Sequence, residues 1–349
     1  MYLFFMETRY TLQCKQHCEM KYMKSCMTCI QTVVLTVLIM LFFAACSHKE
    51  STAVRSMYYW STVFRLSDSK KTFLRHHNIQ RLYIRYFDVV RDDNGWTVPN
   101  ATIQFKDSIP DGVEVVPTIY VMNDCMERGN DDLAQKILKR VKQMNATNDI
   151  KNVKEIQIDC DWTNTTRQSF FRFMEQLRRL AHSENIQVSA TIRLHQLSQT
   201  PPPADRGILM LYNTGEFTRL ECHKPILDMH AVAPYLPQLK SYKLPLSTAY
   251  PTFGWRILFR ERQYVGIIHA DDDLPVLPDD SIVIRQPSAV DVLQGVKAIE
   301  MRRREANDEI ILFDLTESNI NRFKQEEYEK IFNRGGDDDV SSQSNGVRQ

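Results

Sequence analysis

Two aspartates stand two residues apart at the end of a short run of alternating apolar and polar residues, "EIQIDCDWT" (155–163). Side chains on a strand point alternately to its two faces. Asp159 and Asp161 therefore share one face of the predicted strand, and Trp162 lies on the other as a packing residue. Two carboxylates this close can supply a nucleophile, base or stabiliser. Their mutual repulsion can raise one pKa until that group is a proton donor near neutral pH.

The next strand-like stretch, "IQVSATIRLHQL" (186–197), has the same division into a polar and an apolar face. Arg193 and His195 fall on the polar face, so we expect Arg193 to hold the ionised aspartate and His195 to be an alternative acid. The catalytic candidates are Asp159, Asp161 and His195. The alternative is a purely structural cluster, because buried charges have to be paired in either case.

Further candidates lie where other predicted strands end. Aromatic residues around carboxylates suit sugars, since the apolar face of a sugar ring stacks on an aromatic plane. Each tyrosine taken singly is better explained as a core residue. On a regular strand, Arg85 and Asp88 fall on opposite faces. The substrate-binding candidates are Arg85, Tyr120, Arg193, Tyr212, Asn213 and Trp255.

Strand-like and helix-like stretches alternate along the chain, which predicts right-handed βαβ units and a parallel sheet. Strands are expected near residues 58, 82, 114, 155, 187, 208 and 310, with one or two more between 247 and 268. This count fits an α/β fold of the (β/α)8 TIM-barrel type, irregular around strand seven. Barrel enzymes keep their sites at the C-terminal strand ends, where the candidates concentrate. A doubly wound sheet is the alternative, but "LSDSKK" after the first strand has no Gly-rich nucleotide turn.

The N-terminal segment resembles a bacterial lipoprotein signal. Residues 31–45 are almost wholly apolar, follow Lys21 and Lys24, and end in small residues before Cys46. This order matches a signal peptide, and the end resembles the lipobox, in which the cysteine is lipidated. A retained signal anchor is the alternative, although a membrane span needs about 20 apolar residues.

The sequence predicts four segments. These are a signal peptide over 1–45, a tether over 46–56, a single barrel domain over 57–334 and a disordered tail over 335–349. Residues 1–22 of the signal segment are a candidate mis-assigned start, because "MKSCMTC" at Met23 begins a more ordinary signal peptide. We therefore expect a membrane-anchored lipoprotein of the bacterial cell envelope, facing the periplasm or the cell surface.

Composition narrows the function classes. Hydrophobic residues make up 43% of the chain and charged residues 25%, as in soluble globular proteins, and the net charge of +1 argues against a nucleic-acid binder.

Beyond the signal segment, Cys46, Cys125, Cys160 and Cys222 are too few and too widely spaced for a disulfide framework or a zinc site. "HADDD" (269–273) is interpreted as a solvated loop. We expect no cofactor and no metal, and the oligomeric state stays open.

The stretch "DCDW" resembles the strand-four signature of family 18 chitinases, Asp-x-Asp-x-Glu. Asp159 and Asp161 match its two aspartates. Thr163 stands where that family carries a glutamate as general acid. Since glycoside hydrolysis needs a proton donor at the leaving oxygen, this departure counts against the chitinase mechanism.

The chain from about Tyr58 to Asn333 is also similar to a family of Bacteroidetes lipoproteins that is grouped by predicted fold with barrel glycoside hydrolases. The resemblance is carried by "YYWSTVFR", "RLYIRYFDV", "IQIDCDWT", "SATIRLHQL", "RGILMLYNTG" and "IILFDL". It implies a barrel, a lipid anchor and a carbohydrate setting. No activity follows from it.

Three function classes remain open. The first is a lipid-anchored glycoside hydrolase or related carbohydrate-active enzyme that uses strand-end carboxylates. The second is a non-catalytic lipoprotein that binds glycans or a partner on a degenerate hydrolase fold. The third is a structural envelope protein. The first two imply a carbohydrate or glycoconjugate as partner and a membrane reached through the lipid, and the fold alone does not choose between them.

Overall fold

The computed structural model describes residues 53–127, 132–268 and 274–336, and every structural statement below concerns these residues. The described ranges do not include the predicted signal peptide, Cys46 or the acidic run at 269–273. Of the predicted tail they include only residues 335 and 336. Within the described ranges, no helix has both the length and the apolar character that crossing a bilayer requires.

Eight parallel strands close into a barrel, as the sequence predicted. Around the barrel they follow the order β1, β3, β6, β7, β8, β9, β10 and β14, and β1 closes the ring by pairing with both β3 and β14. The described strands are β1 (Val54–Tyr59), β2 (Val63–Phe64), β3 (Arg81–Arg91), β4 (Thr97–Asn100), β5 (Gln104–Phe105), β6 (Glu114–Val121), β7 (Glu155–Asp159), β8 (Gln187–Arg193), β9 (Arg206–Met210), β10 (Leu246–Pro251), β11 (Trp255–Arg260), β12 (Gln263–Ile267), β13 (Ser281–Arg285) and β14 (Glu309–Phe313). The C-terminal strand ends therefore meet at one mouth.

Helices cover the outside of the barrel. The described α-helices are α1 (Asp68–His76), α2 (Leu133–Thr147), α3 (Arg167–His182), α4 (Met229–Val232), α5 (Leu236–Leu239), α6 (Ala289–Arg302), α7 (Glu317–Ile320) and α8 (Gln325–Phe332). Ser288 and Asp291 form the predicted capping box of α6.

The apolar faces of the strands point to the helices. Ile156 and Ile158 of β7 belong to the buried core between strands and helices. Trp162 joins them and stacks on Phe170 of α3, with ring centroids 6.1 Å apart. The expectation that Trp162 packs on the helix side is confirmed.

The barrel lumen has a polar base beneath an apolar middle. At the base, the N-terminal strand ends, Arg206 Nη2 lies 2.9 Å from Glu155 and Arg206 Nη1 lies 2.5 Å from Glu309. Arg81 Nη1 lies 3.0 Å from the same Glu309 carboxylate. A separate apolar cluster fills the middle of the lumen and includes Tyr58, Tyr83, Val116, Ile208, Met210, Ala249 and Ile311. Buried charges at the base are thus paired across strands.

A small antiparallel sheet interrupts the barrel after its seventh strand, β10. Its order is β12, β11, β13, and we call residues 255–285 the insert. The predicted hairpin turn at Glu261 and Arg262 is confirmed, because both residues have positive φ (49° and 65°) between β11 and β12. The irregularity expected around strand seven is this insert.

Candidate functional site

An ion-paired cluster lies at the mouth where β7 and β8 end. Asp159 is the last residue of β7, and Arg193 is the last residue of β8. Arg193 Nε donates to Asp161 Oδ1 at 2.6 Å and Arg193 Nη2 donates to Asp159 Oδ1 at 3.2 Å, while the Thr191 hydroxyl donates to the same Asp159 oxygen at 2.7 Å. One guanidinium therefore joins both carboxylates, whereas the sequence analysis expected Arg193 to hold the ionised one.

The two carboxylates differ in their access to solvent. The side chain of Asp161 is 55% exposed, whereas that of Asp159 is 8% exposed. Burial raises the pKa of Asp159, against the opposing effects of the Arg193 charge and the Thr191 hydrogen bond. The buried Asp159 thus holds Arg193 in position from the lumen side. The exposed Asp161 is the carboxylate that a ligand can reach.

Two predicted tyrosines lie beside this cluster. Burial and then the charges of Asp161 and Asp159 raise the pKa of Tyr120, which is half-buried. Burial also raises the pKa of Tyr212, whose hydroxyl donates to Met210 Sδ at 2.9 Å. Both phenols therefore stay protonated near neutral pH.

Arg85 and Asp88 point to the same side of β3, so the expectation of opposite faces was wrong. A β-bulge between Arg85 and Phe87 shifts the register with β6, so that Arg85 pairs with Thr118 and Asp88 pairs with Tyr120. The extra residue turns Asp88 back toward the lumen. Arg85 Nε donates to Asp88 Oδ1 at 2.7 Å.

His195 and Asn213 are exposed residues that lie beyond the ends of their strands. Strand β8 ends at Arg193, and residues Leu194–Ser198 form a 3-10 helix, so alternation does not carry His195 onto the strand face. The Gln196 side chain accepts the Arg193 backbone N–H at 2.9 Å and stabilises this turn. The His195 side chain is exposed, and so is Asn213, which has φ 56°. Their assigned roles stay predictions.

Thr163 lies exposed after β7 and carries no acidic group. Its hydroxyl lies 2.8 Å from the Thr165 hydroxyl, and its backbone N–H donates to Thr166 Oγ1 at 2.9 Å. These bonds belong to the turn that leads into α3. A threonine hydroxyl is not a proton donor of the strength that glycoside cleavage requires.

Partly exposed aromatic rings lie on one side of the mouth, where β1, β14 and β10 end, and we call Trp60, Phe313, Phe253 and Trp255 the mouth row. Neighbouring ring centroids in this row lie 5.4, 5.7 and 5.5 Å apart. The guanidinium of Arg85 lies 5.3 Å from the Trp60 ring centroid. The predicted candidate Trp255 is thus one end of this row, and Trp60 with Arg85 is the other.

Asp314 is a site residue that the sequence reasoning missed. It follows β14 at the mouth, is buried, and accepts a hydrogen bond from Asn319 Nδ2 at 2.6 Å. Burial raises its pKa to about 6. The rule that strand-end carboxylates of barrels deserve inspection could have found it, since "FDL" ends the last predicted strand.

We expect the Asp314→Asn variant to change how stability depends on pH. The folded state holds the Asp314 proton more tightly than the unfolded chain, because burial raises its pKa from 3.8 to about 6. Wild-type stability relative to the variant should fall by about 3 kcal/mol as the pH rises from about 4 through about 6. Urea unfolding of both proteins across this range measures the difference, and a difference independent of pH would contradict the assignment.

One cluster outside the mouth has metal-ligand chemistry. Atoms of His76, His77 and Glu329 that could bind a metal lie within 4.8 Å of one another. However, Arg55 Nη1 and Nη2 already donate to the two Glu329 carboxylate oxygens at 3.1 and 2.9 Å, and His77 Nδ1 lies 2.6 Å from the first of them. We interpret this group as an ion-paired support between β1, α1 and α8.

Comparison with known proteins shows that the chain shares its fold with several solved structures at low sequence identity. No protein-family model and no curated protein matches the chain. A Bacillus cereus spore cortex-lytic enzyme matches with a TM-score of 0.53 and 12% identity over 81% of this chain and 74% of that one. A chitinase from Chromobacterium violaceum matches with a TM-score of 0.53 and 10% identity over 81% and 98%. A chitinase-like agglutinin from Robinia pseudoacacia matches with a TM-score of 0.50 and 9% identity over 80% and 99%. The chain therefore has a glycoside-hydrolase-like (β/α)8 barrel.

Proposed function

We propose that this protein binds a carbohydrate or glycoconjugate at the mouth of its barrel, without cleaving it by the chitinase route. The observation that carries the proposal is the exposed Asp161 carboxylate, held by Arg193 at the same barrel mouth that carries the partly exposed rings of the mouth row. Sugar sites combine hydrogen bonds to hydroxyl groups with stacking on aromatic planes. Asp161 supplies acceptors and Arg193 supplies donors for the hydroxyl groups.

The geometry favours binding over hydrolysis. Thr163 occupies the position at which the resembling motif would carry its acid, and its hydroxyl is used within the turn. The Asp159 carboxylate is buried and accepts hydrogen bonds from Thr191 and Arg193. A fixed, ion-paired carboxylate suits the positioning of Arg193. The match to a chitinase-like agglutinin agrees with binding without hydrolysis, because the same fold can host different functions.

Hydrolysis by other groups is the second candidate function. The raised pKa of the buried Asp159, beneath the exposed Asp161, is the observation that favours it. In this case Asp161 would act as nucleophile, base or stabiliser. Asp159 or the predicted acid His195 would supply the proton.

Anchoring in the bacterial cell envelope is part of the proposal. It rests on the apolar run before Cys46, the small residues next to that cysteine, and the resemblance to Bacteroidetes lipoproteins. Expression of the full chain and of Cys46→Ala, followed by membrane fractionation and mass spectrometry of the N-terminal peptide, tests it. Recovery of both proteins in the soluble fraction without a lipid adduct would overturn it.

We expect Asp161→Asn to weaken glycan binding at least tenfold. The charged acceptor contributes about 1.5–3 kcal/mol through hydrogen bonds to a ligand, and the amide keeps the shape but not the charge. Calorimetry on a panel of oligosaccharides and peptidoglycan fragments, with product analysis on the same mixtures, measures binding and turnover together.

Asp308→Asn is the matched control for this experiment. Asp308 is an exposed aspartate paired with Arg334 at 2.8 Å, and it precedes β14 at the opposite end of the barrel. The Asp308→Asn variant should bind glycans with the same affinity as the wild type. Equal affinity for the wild type and Asp161→Asn would reject the proposed site. Products formed by the wild type but not by Asp161→Asn would establish the hydrolase instead.

A further inference from the structure

Strand β13 is an edge of the small sheet of the insert, and it carries exposed apolar side chains. Among the described residues it pairs with β11 alone, over five residues and without a bulge. Ile282 and Ile284 lie on one face of the strand and are 42% and 64% exposed. A free edge presents unpaired backbone N–H and C=O groups, which can pair with another strand.

The opposite edge of the same sheet, β12, has a feature that natural edge strands use against pairing. Its register with β11 shifts between Leu258 and Phe259, and Val265 of β12 is the extra residue. A bulge of this kind interrupts the ladder and bends the strand. Strand β13 lacks this protection, because the residues between Ser281 and Arg285 include no charge and no proline. The two edges therefore differ in their capacity to accept a further strand.

The sequence of β13 is complementary to itself in antiparallel pairing. When Val283 faces Val283 of a second copy, Ile282 of each copy faces Ile284 of the other. The four isoleucines then form one apolar patch of cross-strand pairs. The same register brings the exposed Asp279 of one copy beside Arg285 of the other. Opposite charges therefore meet at both ends of the paired strands.

We propose that two copies of this chain dimerise through β13 and join their inserts into one six-stranded sheet. Antiparallel pairing of a strand with itself is two-fold symmetric, so the contact closes at two copies. Five paired residues span only about 17 Å and bury less than the roughly 800 Å² per partner of a standard interface. The dimer is therefore weak, with a Kd of about 10–100 µM.

The position of the insert gives this dimer a consequence for binding. The insert follows β10 at the mouth of the barrel, so each dimer carries two mouths. Two linked sites bind a repetitive surface with greater avidity than one site does. Only this consequence rests on the proposed function, since the pairing of β13 itself needs no glycan.

Sedimentation equilibrium in a density-matched detergent tests the dimer at concentrations below and above the expected Kd. The full chain carries Cys46→Ala, so that association does not come from the proposed lipid. We expect Ile284→Lys in this chain to weaken dimerisation about tenfold or more, because it places two like charges in the apolar patch. Val290→Lys is the matched control. Val290 lies on α6 outside the insert and is 60% exposed, so this variant should dimerise as the unsubstituted chain does.

Disulfide cross-linking of the full chain in oxidised cell membranes tests the register. Val283→Cys should give a covalent dimer on a non-reducing gel, because directly opposite Cα atoms of antiparallel strands lie about 4.5–5.5 Å apart, within reach of a disulfide. Ser281→Cys is on the same face of the same strand, but its copy lies four positions away. It should give no more dimer than the wild type with its native cysteines.

Three outcomes would each overturn the proposal. They are a monomer at every concentration, dimerisation of Ile284→Lys as strong as that of the unsubstituted chain, and equal cross-linking of Val283→Cys and Ser281→Cys. Thermal unfolding of Ile284→Lys and Val290→Lys shows whether both variants are equally folded. Because no sugar is present in these measurements, failure of the dimer leaves the proposed glycan site to its own test.

Discussion

Replacing Arg193 with alanine should lower the free energy of unfolding by about 3–5 kcal/mol and abolish glycan binding. The truncation leaves the buried Asp159 carboxylate without its cation, and an uncompensated buried charge is costly. It also removes the hydrogen bond that orients Asp161. Urea unfolding at neutral pH gives the stability change, and calorimetry with the best-binding oligosaccharide gives the affinity.

A second substitution separates the two effects of Arg193. In the double variant Arg193→Ala with Asp159→Asn, the buried charge is gone, so stability should recover by more than half while binding stays absent. Arg178→Ala is the control for removing an exposed arginine. Its side chain is 43% exposed and pairs with Asp205, and its loss should cost about 1 kcal/mol or less. A loss as small in Arg193→Ala would show that Asp159 does not depend on the guanidinium.

Replacing Arg206 with alanine should also cost about 3–5 kcal/mol of stability, yet leave glycan affinity unchanged. Arg206 joins the buried carboxylates of Glu155 and Glu309 at the base. Burial opposes ionisation of Glu309, but the charges of Arg206 and Arg81 outweigh it and hold the Glu309 pKa below its ordinary value. Removing one cation from this network leaves buried negative charge without compensation.

The Arg206 result is informative because the base lies at the opposite end of the barrel from the mouth. Thermal unfolding and calorimetry of the same variant, at a temperature where it remains folded, measure both quantities. A drop in affinity equal to that of Asp161→Asn would mean that the two ends of the lumen are coupled. Unchanged stability would mean that Glu155 and Glu309 are neutralised by other groups.

The polar residues of the barrel lumen belong to two groups, a structural network at the base and the candidate site at the mouth. Polar faces on two adjacent strands are unusual in a barrel, and from the sequence they favoured a functional site. In the structure, Glu155 at the start of β7 belongs to the base network, and Gln157 in the middle of β7 accepts the Tyr58 hydroxyl at 2.8 Å. Only Asp159 and the residues beyond it reach the mouth. Part of the polar pattern is therefore structural, and part forms the candidate site.

The sequence by itself determined the architecture and the centre of the site. Alternating strand and helix patterns predicted the (β/α)8 barrel, because a parallel strand requires a covering helix after it. Period-two alternation placed Asp159 and Asp161 on the lumen side with Arg193 and put Trp162 against the helices, as observed. These features follow from local periodicity, which a single sequence records.

Other features depend on the tertiary structure, because local periodicity does not record strand irregularities, burial or contacts between distant segments. A bulge in β3 brought Arg85 and Asp88 to one side, and a 3-10 helix directly after Arg193 removed His195 from the strand face. Both depend on where a regular strand stops or gains a residue, which neighbouring strands and loops fix. The raised pKa of Asp314 and the aromatic rings joined across the insert likewise arise between segments distant in sequence, because burial and close packing are properties of the assembled barrel.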